Sequence, residues 1–214
     1  MGYEDDGRTP NTLITFHDYP TAPLIFEVRG LPTRAGVETL DNYRGVSIGI
    51  EVDFEAGSMV VGNEYAQQDT NFFDTAGQPI KNFKSASNNY EIGHFENFIA
   101  AVRSRRHIDL KADILEGHIS SALCHTGNLS YLLGRPHRPE EIREAVKAKP
   151  DLAEAIGRME QHLAANQIDL LKSPATLGEV LNMDPKTERF LDHPAANQLL
   201  TREYRAPFVV PEKV

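Results

Sequence analysis

The side chains able to do chemistry in this chain are eight histidines, one cysteine and a few clustered carboxylates, and their spacing sets what they can do. His118 and His125 stand seven residues apart, so on a helix they share roughly one face and can point into one cleft. A metal site there needs a third ligand, which the sequence does not place. His94, Asn97 and Phe98 form a His-x-x-Asn-Phe phrase whose polar pair either bonds neighbouring backbone or faces a substrate cavity. Glu51 and Asp53 alternate along a strand-like run, a spacing that suits paired carboxylates for acid-base work and equally a solvated sheet face. His17-Asp18 beside Tyr19-Pro20 reads as a strand end and turn, and His107, His137, His162 and His193 sit in polar surroundings that predict surface positions. Cys124 has no cysteine partner, which excludes an intrachain disulfide and an all-cysteine metal site and predicts a small core residue. The familiar templates are missing: there is no Gly-x-Gly-x-x-Gly turn, no Walker loop, no Gly-x-Ser-x-Gly elbow and no His-Glu-x-x-His pair.

The elements that must position these residues change character midway. Residues 13–16, 24–28, 46–54, 58–65, 71–74 and 79–83 alternate or cluster β-favouring side chains and predict strands. Turn signals such as Gly30-Leu31-Pro32, Glu55-Ala56-Gly57 and Thr75-Ala76-Gly77 separate them, and links this short force antiparallel pairing, because a parallel crossover needs a dozen residues or more. The longer link over 31–45 has room for one connection other than a hairpin. Helical periodicity then takes over at 90–104, carrying Ile92, Phe95, Phe98, Ile99 and Val102, and at 112–133, which stops at Gly134 and Pro136. Two more helices are predicted at 139–148 and 151–170, separated at Lys149-Pro150 with Asp151 as cap, before a proline-rich tail over 172–214. Strands first and helices after them give an α+β domain: an open, mostly antiparallel sheet with helices packed on one face, plus an extended C-terminal tail. The remaining sheet face must be solvated, bound to a ligand or paired with another subunit.

Composition narrows the partners. The 214 residues carry a net charge of -9, which argues against nucleic acid, whose phosphates need clustered Lys and Arg. The one basic cluster, Arg103, Arg105 and Arg106, falls at a predicted helix end, where cations complement the helix dipole. No run of 18 apolar residues occurs, so no membrane partner is expected. Compartment stays open between cytoplasmic and exported.

Several phrases together resemble the Gfo/Idh/MocA family of oxidoreductases, the group that includes glucose-fructose oxidoreductase and inositol dehydrogenase. They are Tyr3-Glu4-Asp5-Asp6-Gly7 with Pro10-Asn11-Thr12, then Leu24-Ile25-Phe26-Glu27-Val28-Arg29-Gly30-Leu31-Pro32, then His94-Phe95-Glu96-Asn97-Phe98-Ile99-Ala100-Ala101-Val102-Arg103. Further on come Gly127-Asn128-Leu129-Ser130-Tyr131-Leu132-Leu133-Gly134, Asp184-Pro185-Lys186-Thr187-Glu188-Arg189-Phe190, and Arg202-Glu203-Tyr204-Arg205-Ala206-Pro207-Phe208-Val209-Val210-Pro211. The resemblance runs nearly end to end, and it is to the bacterial-type C-terminal domain that follows the dinucleotide-binding domain. It implies the same open antiparallel sheet, used for oligomer contacts, and a substrate site lined by this half. Such proteins oxidise or reduce a hydroxyl or carbonyl of a sugar, cyclitol or related molecule with NAD or NADP.

This chain lacks the family's glycine-rich turn, its Glu-Lys-Pro motif and its Asp-x-x-x-His pair; Ala148-Lys149-Pro150 imitates the second but follows helices rather than a Rossmann strand. The resemblance therefore implies one substrate and oligomerisation domain over 1–214, with the Rossmann domain upstream and no catalytic, cofactor-binding or metal-binding residue in this chain. NAD or NADP belongs to the full-length protein, and the chain alone is expected to be inactive. The residues implied to contact the small-molecule substrate are His94, Asn97, His125 and Asn128, and the implied protein partner is a second copy met through the open sheet. Two other readings stand beside this one: a stand-alone scaffold or oligomerisation module, and a small hydrolase or lyase built on His118, His125, Glu51 and Asp53.

Overall fold

The computed structural model describes residues 6–62, 69–84 and 90–211, with side chains of the last stretch described from residue 93. The Tyr3-Glu4-Asp5 phrase, the expected strand end at 63–65 and the side chain of Ile92 lie outside the described residues. The fold is α+β with antiparallel sheets. The chain divides into two compact units, one of Met1–Val28 with His118–Val214 and one of Arg29–Gly117.

The Arg29–Gly117 unit is built on a meander. Strands β3 (Gly49–Phe54), β4 (Gly57–Gly62), β5 (Asp69–Asp74) and β6 (Pro79–Phe83) pair in that order as an open four-stranded antiparallel sheet, following β1 (Thr12–His17) and β2 (Leu24–Arg29), which pair with each other. The short turns explain the order, since each strand can reach only its sequence neighbour. Gly57 sits at φ +146 in the β3–β4 turn, where a β-carbon would fall 1.9 Å from Phe73 O, so only glycine closes this hairpin. Strand β3 begins three residues later than the periodicity predicts, because Tyr43 and Val46 exchange both backbone hydrogen bonds around Arg44 (φ 49) and Gly45 (φ 81), a tight turn. In the longer link, Pro32 and Leu40 form an isolated antiparallel bridge.

Register divides the meander into two unlike faces. Ile50 pairs with Val61, Val52 with Met59 and Met59 with Phe72, so one face is largely apolar, with Phe54 and Phe83 at its margins and Thr70 and Lys81 on its β5–β6 side. Much of that face is solvent-accessible: Ile50 is 65%, Phe54 54% and Phe83 48% exposed. The opposite face carries Glu51, Asp53, Ser58 and the Asn82–Asn71 side-chain hydrogen bond of 2.6 Å, with Val60 buried among them. Helix α1 (Tyr90–Ser104) ends where expected, with Arg103 in its last turn and Arg105 at φ 59 donating its N–H to Ala101 O.

The other unit holds β1, β2, most of α2 (Ile114–Leu133), the short pair β7 (Arg135–His137) and β8 (Ala175–Leu177), α3 (Pro139–Val146), α4 (Pro150–Ala165), the pair β9 (Met183–Asp184) and β10 (Arg189–Phe190), and α5 (Pro194–Gln198). Helix α2 starts two residues later than predicted, since Asp113 Oδ1 takes the N–H of Leu115 and acts as the cap. Asp151 is not the cap of α4: Lys149 holds that position, Pro150 opens the helix, and Asp151 lies in its first turn. The same helix stops at Ala165 rather than running to 170, because Gln167 at φ 61 turns the chain and Ile168 donates back to Leu163 O.

Two apolar clusters hold this unit. Ile142, Val146 and Ile156 pack with Ile14, Leu152, Met159 and Leu177; Leu129, Phe190 and Ala196 pack with Leu133, Leu181, Met183 and Leu200. Close approach to α2 makes the second arrangement possible: a β-carbon at Gly127 would meet Thr15 Oγ1 at 2.5 Å, and one at Gly178 would meet Ser130 Oγ at 2.3 Å. Ser130 Oγ donates to Glu179 O at 2.8 Å while Glu179 N–H donates to Ser130 O at 3.1 Å, so the tail is pinned to the helix by both of its backbone groups.

Leu163 is fully buried, so Leu163→Ala should lower the unfolding free energy by about 2–5 kcal/mol through lost transfer energy and a residual cavity, read from urea midpoints. Asp184 has its pKa lowered chiefly by the Lys186 N–H and then by the Thr187 hydroxyl. Such a group contributes fully above its unfolded pKa, and the contribution is lost as pH falls through the lowered folded value. Asp184→Asn should therefore flatten the loss of stability below about pH 4, measured by urea unfolding at a series of acid pH values.

Candidate functional site

The four residues expected to face substrate fall into two pairs. His94 and Asn97 share α1 in the Arg29–Gly117 unit, whereas His125 and Asn128 share α2 in the other. His94 is exposed, edge-on to Phe95 with ring centroids 6.0 Å apart. Asn97 is committed to structure: its Nδ2 donates to Asp109 O at 2.8 Å, and its Oδ1 accepts the N–H of Lys111 at 3.0 Å. These two bonds tie α1 to the 3-10 turn His107–Asp109 and to the chain leading into α2. His125 is exposed on α2. Asn128 differs from the other three, because its Oδ1 is buried and has no hydrogen-bond partner among the described residues. A buried acceptor left open is costly and rare, which sets this oxygen apart from the other three candidates.

The remaining candidates find partners within the protein or take positions other than those expected. Glu51 and Asp53 do share a strand face, and both turn to the guanidinium of Arg44, Asp53 Oδ1 at 3.7 Å and Glu51 closer. His118 Nε2 lies 2.9 Å from both carboxylate oxygens of Glu188, which ties α2 to the β9–β10 turn. Cys124 is exposed rather than in the core, since Leu123 and Thr126 occupy the more sheltered side of that helical turn. His162, expected at the surface, is buried at 5% exposure beside Leu163 in α4. His17 is half-buried at the end of β1, and burial lowers its pKa by penalising the charged ring.

One arrangement was not visible in the spacing. His193 Nε2 lies 2.8 Å from Glu179 Oε2, and its Nδ1 accepts the N–H of Ala196 at 3.1 Å as the cap of α5. Beside it Asn197 accepts the N–H of Phe190 at its Oδ1 and donates its Nδ2 to Phe190 O. The sequence signal for the cap is His193 immediately before Pro194 and two alanines, a helix start obscured by the irregular tail around it.

Among the described residues no group of three or more His, Cys, Asp or Glu side chains is placed to hold a metal ion. Among the described residues the glycines at positive φ, Gly36, Gly45, Gly57 and Gly77, lie in links and turns between strands. A shallow hollow of about 210 Å³ follows α1, lined by Phe98, Val102, Leu110, Arg105, Arg106 and His107. No helix among the described residues is long and apolar enough to cross a membrane. Compared with protein-family models, with curated proteins and with solved structures, the chain finds no match.

The two asparagines should respond differently to truncation. Asn97→Ala removes two hydrogen bonds and strands a backbone N–H and C=O, with an expected loss of about 1–3 kcal/mol. Asn128→Ala removes an acceptor that has no partner among the described residues and should change stability by less than about 1 kcal/mol, both read from chemical denaturation.

Proposed function

We propose that this chain is the substrate-side, oligomerisation domain of a NAD(P)-dependent oxidoreductase acting on a sugar, cyclitol or related hydroxy or carbonyl compound, and that it is inactive alone. The observation that carries this reading is the open antiparallel meander with one solvent-accessible apolar face, presented by Ile50, Phe54 and Phe83. Apolar area gathered on one face is stabilised by burial against a partner surface, and a second copy offers the same surface related by a two-fold axis. The resemblance to the Gfo/Idh/MocA C-terminal domain supplies the rest, since that domain is expected to combine an oligomer-forming sheet with one wall of a substrate site. Asn128, with its open acceptor, is the residue best suited to take a hydroxyl donor from a polyol.

Hydride transfer needs a nicotinamide held against the substrate carbon, with a proton donor or acceptor beside it. In this reading those groups come from a dinucleotide-binding domain upstream. A stand-alone scaffold would use the same sheet face without any substrate, and the open acceptor of Asn128 favours the oxidoreductase reading over it.

The test has two parts. Sedimentation equilibrium of the purified chain should give a dimer or larger species, and the double substitution Ile50→Glu with Phe54→Glu should shift it to monomer with the far-ultraviolet spectrum retained. A strictly monomeric wild-type chain would sink the oligomerisation reading. Calorimetric titration with NAD and NADP should show no binding to this chain, and micromolar affinity would overturn the division of labour proposed here.

A further inference from the structure

His193 closes the start of α5 in a way that fixes where its ring proton sits. Nδ1 accepts the Ala196 N–H at 3.1 Å and so carries no proton; Nε2, 2.8 Å from Glu179 Oε2, holds the proton and donates it to the carboxylate. A second proton has only Nδ1 to go to, and there it would set two N–H donors against each other at the cap. The geometry points to His193 as a pH-operated latch on the C-terminal wrap. As the neutral ring it caps α5 and bonds Glu179; as the cation it keeps Glu179 as an ion pair and releases the first turn of α5.

The released turn is not a loose end. It carries Ala196, fully buried with Leu129 and Phe190, and Asn197, which holds both backbone groups of Phe190. Acid therefore loosens one of the two apolar clusters of this unit from its C-terminal side, while Glu179 remains pinned through its backbone to Ser130.

Among the described residues, the carboxylate paired with His193 is that of Glu179. Helix α5 has no charged side chain of its own. From the elements packed with it, β10 brings Arg189, which is exposed, and β9 brings Asp184, whose oxygens are taken by the Lys186 N–H and Thr187. Asp192 in the preceding turn is exposed, as is His125 of α2, and His118 is engaged by Glu188. Glu179 takes the Nε2 proton and the Ala196 N–H takes the Nδ1 lone pair, so a second ring proton keeps the first contact and breaks the second.

The experiment is amide hydrogen exchange of Ala196 by nuclear magnetic resonance on the whole chain, at about pH 7.5 and about pH 5.5, spanning the range in which imidazoles titrate, with intrinsic exchange rates divided out. Protection at Ala196 should fall about fivefold at the lower pH, the effect expected for losing an N-cap. In His193→Asn the amide side chain caps without titrating, and protection should be equal at the two pH values. Equal protection at both pH values in the wild-type chain overturns the proposal, and so does an undiminished pH dependence in His193→Asn.

Discussion

The close approach of strand and tail backbone to α2 is the constraint on which its unit depends. Gly127 lets β1 reach the helix through Thr15, and Gly178 lets the tail reach Ser130, so that Leu129 between them meets Phe190 and Ala196 in one apolar cluster. A side chain at either glycine would push a neighbouring segment outward and open that cluster. The tail past residue 178 has only short strands and a five-residue helix, which could not hold their shape in isolation. They are ordered because their polar groups find partners: Glu179 on Ser130, Glu188 on His118, His193 on Ala196, Asn197 on Phe190.

Much of the fold was legible in the chain. Period-two runs bounded by turn residues located β1 to β6, and the shortness of the turns gave the antiparallel meander before any pairing was known. Helix α1 and the end of α2 fell where periodicity and Gly134 put them. The structure departs from the periodicity at boundaries decided by a single residue: Gln167 in a left-handed conformation cuts α4 short, and Asp113 rather than an earlier residue starts α2. Strands of two or three residues, β7 to β10, carry too little sequence to show a period, and their pairing rests on contacts with distant segments.

The candidate site was less legible, for a physical reason. Spacing tells which side chains share an element, but not which partner each will find. Glu51 and Asp53 do lie on one face, and the guanidinium that occupies them, Arg44, comes from a turn whose geometry no periodicity reports. Asn97 and Asn128 look alike in sequence, one inside His-x-x-Asn-Phe and the other inside Gly-Asn-Leu-Ser. Only the fold separates a side chain that splints a helix to its next turn from one whose oxygen is left open in the interior. The burial of His162 is not legible in its polar neighbours along the chain, because it follows from α4's inward face, which it shares with Leu163.

The outer strand β6 runs Pro79-Ile80-Lys81-Asn82-Phe83, with every residue exposed and a register irregularity opposite Phe73. Proline cannot donate to a further strand, lysine resists desolvation at an edge, and the irregularity spoils the regular ladder a newcomer would need. At the other border, β3 sets Glu51 and Asp53 beside Arg44. The sheet is thus sealed sideways and greasy on its flat, a combination that permits face-to-face pairing between molecules while opposing the strand-by-strand growth that leads to fibrils.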